Sequence, residues 1–263
     1  STGNANDGDG VRVDGTSNTI GGLTALDRNI IAGNDSATSD NDEGILLRGD
    51  NNQVLGNWIG IDGTGAALLN DDDGVDVEAA VGTVIRNNVI AGNRNDGIVI
   101  DGGTGSGSTI IQGNRIGVNA AGTLVANGDS GIRIESGSTD NVIGGIAAGD
   151  GNVIAGNGRD GITLVGGATD RNRIRGNSIY GNVELGFDID NDGVNLGVNR
   201  DGTFNAGSAN NGIDVPWIDA ASLAGGTLTV AGYVGNTPAS PTFANVTVDF
   251  YRADPDGTGW GEG

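Results

Sequence analysis

Aliphatic residues along this chain fall at alternate positions in short bursts, and the bursts recur with polar phrases between them. One phrase, of the type G-[IV]-x-[ILV], reads Gly10-Val11-Arg12-Val13, Gly44-Ile45-Leu46-Leu47, Gly74-Val75-Asp76-Val77 and Gly97-Ile98-Val99-Ile100. It continues as Gly131-Ile132-Arg133-Ile134, Gly161-Ile162-Thr163-Leu164 and Gly186-Phe187-Asp188-Ile189. The gaps between these glycines are 34, 30, 23, 34, 30 and 25 residues. A fixed local phrase at irregular spacing predicts a solenoid whose coils share a cross-section and differ in loop length.

Each coil holds three alternating segments, for example Gly97–Ile100, Thr109–Gln112 and Arg115–Gly117. A period of two predicts strands with one buried face, and the inward positions are mostly Ile and Val, as a pleated, half-buried surface prefers. Strands stacked coil on coil are parallel and about 4.8 Å apart. The predicted fold is therefore all-β, a parallel β-helix of about seven coils over residues 1–190. Ile98, Ile100, Ile132 and Ile134 are expected inside it. Residues 191–212 read as an acidic Gly- and Asn-rich loop or linker, and 213–263 as a small antiparallel β unit, truncated or capping. The segment Thr2–Gly10 resembles Gly122–Asp129, so a preceding coil is expected in the parent protein.

A polar phrase of the type N-x-I-x-G-N follows each strand phrase. Its Asn has two structural explanations. Asn tolerates the left-handed conformation at a bend, and stacked amides can hydrogen-bond from coil to coil. Asn34, Asn57, Asn93, Asn114, Asn157 and Asn177 are read as structural on these grounds.

Composition narrows the function classes. The 263 residues include 52 Gly, 13 basic residues and no His, Cys or Met, with a net charge of −21. Every basic residue is Arg. This charge argues against a nucleic-acid partner, which requires clustered cations. An acidic glycan would be repelled unless a divalent cation bridged it. No apolar run is long enough to span a membrane as a helix. Absence of Cys is compatible with secretion and implies no disulfide framework.

The phrases N-x-I-x-G-N, I-G-x-D-x-x-G and I-A-G-N-x-x-x-G-I resemble the right-handed parallel β-helix repeat family, of pectate-lyase-like architecture, over about residues 1–190. The stretches Gly226–Val230 and Val248–Tyr251, then Asp256–Gly263, look like the segment that follows such helices in large secreted bacterial repeat proteins. The resemblance implies a right-handed coil and an extracellular or cell-surface location. It is poor for function, because one helix architecture supports lyases, hydrolases, epimerases and adhesins.

The strand columns give little chemistry. The outward position of the G-x-x-x strand runs Arg12, Leu46, Asp76, Val99, Arg133, Thr163, Asp188. Asp76 stands in that column between Leu46 and Val99, with no second carboxylate expected beside it, whereas a glycosidase needs a pair about 5–10 Å apart. Arg86 and Arg175 are expected three coils apart, about 14 Å by the strand spacing, too far to clamp one sugar. Trp58 is expected to point outward, either as a sugar platform or beneath a neighbouring loop. The sharpest local motif is Asp188-Ile189-Asp190-Asn191-Asp192-Gly193, the first half of a D-x-D-x-D-G calcium loop. Asp188, Asp190 and Asp192 are thus the candidate Ca²⁺ ligands, and a metal-free acidic loop is the alternative. Catalytic residues are not assigned. The leading expectation is a non-catalytic structural or adhesive segment of a large secreted or cell-surface protein, with glycans or cell-surface components as partners. The alternatives are an acidic-polysaccharide lyase or epimerase, and a passive glycan-binding module.

Overall fold

The computed structural model describes residues 6, 8–35, 42–102, 106–189, 208–212 and 216–234. Nineteen short strands wind into three parallel sheets. The first sheet stacks Val11–Val13, Ile45–Leu47, Val75–Glu78, Ile98–Asp101, Ile132–Ile134, Ile162–Leu164 and Phe187–Ile189. The second stacks six strands from Thr19–Gly21 to Arg173–Arg175, and the third six from Ile30–Ile31 to Ser178–Tyr180. Six complete turns and the first strand of another result, slightly fewer than the expected seven. Register is kept by identity of position: Ile98 lies between Val75 and Ile132, and Ile100 between Val77 and Ile134. Such pairing fixes which residues face inward, because a slip of one would turn every aliphatic outward.

The interior is a set of aliphatic stacks. Ile98, Ile100, Ile132 and Ile134 are completely buried there, with Ile85, Ile111 and Ile143 from the second sheet and Ile90, Ile116 and Ile154 from the third. The repeated glycine has a steric cause. A Cβ on Gly97 would stand 2.6 Å from the Gly131 carbonyl oxygen and 2.8 Å from the Ile116 side chain. Successive coils pass too closely at this corner for any side chain.

Buried asparagines line the three corners. At the first, Asn18 donates to Asn52, and farther along Asn141 to Asn172, whose backbone N–H reaches Asn210. At the second, the series Asn29, Asn57, Asn88, Asn114, Asn152, Asn177 is continuous, each Nδ2 donating to the Oδ1 of the next. At the third, Asn6, Asn34, Asn70, Asn93, Asn127, Asn157 and Asn182 do the same. The six asparagines singled out in the sequence are therefore structural and divide between two ladders. The bend explanation fails for them, however. The left-handed conformation belongs to the residue before the ladder position, as in Asn87 (φ 56°) before Asn88 and Gly113 (φ 67°) before Asn114.

Part of the segment read as linker belongs to the solenoid. Ala209–Gly212 forms a 3-10 turn, Ala209 is buried in the aliphatic core, and Asn210 extends the first ladder. Beyond it, Pro216–Ala224 and Thr227–Val234 pair as an antiparallel hairpin. Its two-residue loop is Gly225-Gly226, with φ of 56° and 80°, the mirror-image turn that matches strand twist. The expected strand at 246–251 lies outside the described residues.

Candidate functional site

The outward strand column of the first sheet is as expected, with Leu46 and Val99 as the register neighbours of Asp76, but carboxylates lie beside it that the column alone does not show. Asp76 stands on the strand Val75–Glu78, and the charges of Asp101, Glu78 and Asp72 all bear on it. Asp73 and Asp96, in the turns that lead into adjacent strands, form a second acidic column, with Glu43 one coil below and Asp160 beyond Ser130 two coils above. Turn and strand columns lie side by side, so carboxyl groups gather over several coils.

Much of this column is tied to backbone. Asp73 accepts the Asp96 N–H at 2.8 Å, Asp96 accepts the Ser130 N–H at 2.7 Å, and Asp160 accepts the Leu185 N–H at 2.9 Å. Each carboxyl therefore ties neighbouring coils together as the asparagines do, but in the opposite sense: it accepts the N–H of the following coil, whereas Asn127 Oδ1 in the same corner accepts the N–H of Asn93 in the preceding one. Thr163 closes the row, donating to Asp160 and sharing a hydrogen bond with Ser130. Asp76 differs, because its buried Oδ1 has no hydrogen-bond partner.

Burial sets the protonation of this face. It is the largest cause pushing Asp73 up to about 9, with the charges of Asp96 and Asp72 adding to it. Burial likewise raises Asp76 to about 7, with Asp101 and Glu78 adding and Arg48 opposing. Asp96 rises to about 7 through burial and Asp129, against the Ser130 N–H and Arg133. Glu43 is raised by burial and by a shared hydrogen bond with Asp9. Chemically, such a face holds neutral and ionised carboxyls side by side near pH 7. It can donate or accept a proton, and the sequence supplies no His or Lys to assist.

Some of the other outward positions are closed. Leu46 and Val99 point away from the core yet are only 4% and 7% exposed. Their register neighbours are Arg12 and Asp76 for Leu46, and Asp76 and Arg133 for Val99, whose side chains flank them on the sheet. Arg86 is held by Gln112 and Asp150 at 3.0 and 2.9 Å, and lies three strands from Arg175 as expected. Trp58 is half-buried against the cluster of Ile61, Val89 and Ala91, on which Val125 also packs, with the Arg28 guanidinium 4.6 Å above its ring. The covered reading of Trp58 holds, and the ring is not an open sugar platform. Ile61 and Val125 come from loops closed by the bridges Ile61–Ala67 and Val118–Leu124.

Of the candidate calcium ligands, Asp188 lies on the last strand of the first sheet and is buried. Asp190 and Asp192 lie outside the described residues. Among the described residues no group of three or more acidic side chains is placed to hold a metal ion, and no helix is long and apolar enough to cross a membrane.

No solved structure matches this chain. A family model described as "right handed beta helix region" matches residues 1–215, an extent that includes the turn at Ala209–Gly212. With three parallel sheets, stacked aliphatics and corner ladders among the described residues of that span, the chain belongs to the right-handed β-helix family.

Proposed function

We propose that this chain is a non-catalytic structural or adhesive segment of a larger secreted or cell-surface protein. The observation that supports it most is the use made of the acidic face. Asp73, Asp96 and Asp160, which a glycan enzyme would present to substrate, spend an oxygen on the backbone of the next coil. The only described aromatic stacked with a cation on the outer surface, Trp58, is covered by its own chain. What remains is a rigid rod with an acidic face, suited to spacing and presenting other modules. Glycans or cell-surface components bridged by Ca²⁺ are the partners this charge would admit.

A second reading has one observation in its favour. Asp76 has a buried, unpartnered oxygen and a raised pKa beside Asp73 and Asp96, as a proton-transfer group in an acidic-polysaccharide lyase or epimerase would. Incubation with pectate, alginate and related glycans in the presence of Ca²⁺ separates the readings. The structural reading expects neither unsaturated products nor altered chain length or composition. Turnover that disappears in Asp76→Asn would replace it with the enzymatic one. Retention on a glycan array without product would identify the adhesive form.

A further inference from the structure

The ladder at the first corner is broken in its middle. Register places Asn52, Thr83, Thr109 and Asn141 one above another, since Gln53 pairs with Val84, Val84 with Ile110, and Ile110 with Val142. The residues at either end of this series are amides that bond to a neighbouring coil, Asn52 accepting from Asn18 below and Asn141 donating to Asn172 above. The two in the middle are threonines, completely buried. Neither Thr83 Oγ1 nor Thr109 Oγ1 has a hydrogen-bond partner among the protein groups.

The backbone around them is already committed. Val84 N–H donates to the Asn52 carbonyl at 2.9 Å, Ile110 N–H to the Thr83 carbonyl at 2.8 Å, and Thr109 N–H to Asn141 Oδ1 at 2.9 Å. The same corner is rich in small hydroxyls. Ser106 and Ser138 share a hydrogen bond of 3.0 Å, and Ser138 also reaches the Ile100 carbonyl at 3.3 Å. A threonine is one heavy atom shorter than an asparagine and lacks the amide that would span to the next coil. Two buried hydroxyls without partners carry a desolvation cost that native structures seldom leave uncompensated.

We infer that this corner is a binding site for one internal water, held between Thr83 and Thr109, which restores the coil-to-coil connection that asparagine makes elsewhere. Both hydroxyls are completely buried, and each can donate to or accept from the same oxygen, as buried structural waters require.

A crystal structure of the chain at a resolution that shows ordered solvent tests this directly. The expected result is one water within hydrogen-bonding distance of both Oγ1 atoms. A dry corner, with the hydroxyls turned onto backbone carbonyls, overturns it. Stability gives an independent measurement through Thr83→Val, Thr109→Val and the double variant, all near-isosteric. A shared water makes the second substitution cost less than it does alone, so the denaturant midpoint of the double variant falls by less than the sum of the singles. Additive shifts would mean that the two hydroxyls are not bridged.

Discussion

The side-chain amide of Asn93 donates to Oδ1 of Asn127 at 2.8 Å across 34 residues of sequence, and Asn127 in turn donates to Asn157 at 2.9 Å. Both Asn93 and Asn127 are buried, and Asn127 also reaches the Ile90 carbonyl at 3.2 Å. Replacing Asn127 with Ala would orphan an amide donor on Asn93 and remove a donor to Asn157. Each orphaned buried group costs about 1–3 kcal/mol. Asn127→Ala is therefore expected to destabilise by about 2–4 kcal/mol on that scale, read as a lower denaturant midpoint. An unchanged midpoint would show that the ladder adds nothing beyond the strand pairing.

Ile132 lies between Ile98 and Ile162 in register and is completely buried. An aspartate there places a charge in an apolar stack with no partner. Ile132→Asp is expected to cost on the order of 4 kcal/mol or more, in the range reserved for buried unpaired charge. Circular dichroism and a melting curve check this, and a variant that keeps the native β spectrum and melting temperature would contradict the stacked-core account.

Gly97→Ala tests the corner sterics. The added methyl would stand 2.6 Å from the Gly131 carbonyl oxygen, so the coils must part there. The expected loss is about 1–3 kcal/mol, as for other overpacked sites. Gly122→Ala is the contrast, since its Cβ position meets nothing and its cost comes only from a φ of 84°. If Gly97→Ala proves the milder of the two, crowding is not why the repeat keeps its glycine.

We also propose that calcium stabilises the chain through Asp188, Asp190 and Asp192, on the basis of the D-x-D-x-D-G spacing. Binding to the folded state alone adds about 2.7 kcal/mol at a hundredfold excess over Kd. Melting in EDTA and in millimolar Ca²⁺, for the native chain and Asp190→Ala, with Na⁺ at matched ionic strength, measures it. The expected outcome is a calcium-dependent rise in the native chain that Asp190→Ala loses. Equal responses in both would place any calcium effect elsewhere.

The fold was legible because its signals are local and periodic. Ile98 and Ile100 alternate with Val99, and Asn93 and Asn114 recur in fixed phase with the strands. The acidic face was less legible for a geometric reason. Asp73 and Asp96 belong to turns and Asp76 to a strand, so a reading along the strand column alone misses their meeting at the corner. The residue two before each glycine phrase's first aliphatic, as in Asp73-Gly74-Val75, was the available signal. Leu46 and Val99 escaped for another reason: alternation tells which way a side chain points, while its exposure depends on what flanks it, here Arg12, Asp76 and Arg133. Thr83 and Thr109 gave no warning, because a break in a ladder is visible only once the ladder is seen.

The acidic column beside the first sheet acts as a structural ladder, and the dependence of stability on pH reads out its protonation. Asp73, Asp76 and Asp96 have folded values of about 9, 7 and 7 against an ordinary 3.8, raised first by burial. A folded value above the unfolded one means the native state holds more protons in between, so stability is fully present below the unfolded value and falls as pH rises through the folded ones. Asparagine keeps the oxygen that accepts from Asp96 and Ser130 but cannot ionise. Urea unfolding should therefore show the native chain weakening steadily from about pH 4 to about pH 9, with the double variant Asp73→Asn, Asp96→Asn weakening less steeply, because Asp76 and Glu43 still titrate there, and more stable than the native chain at the alkaline end. A native profile that is flat or rises with pH, or a double variant that weakens just as steeply or is less stable at every pH, would contradict this role.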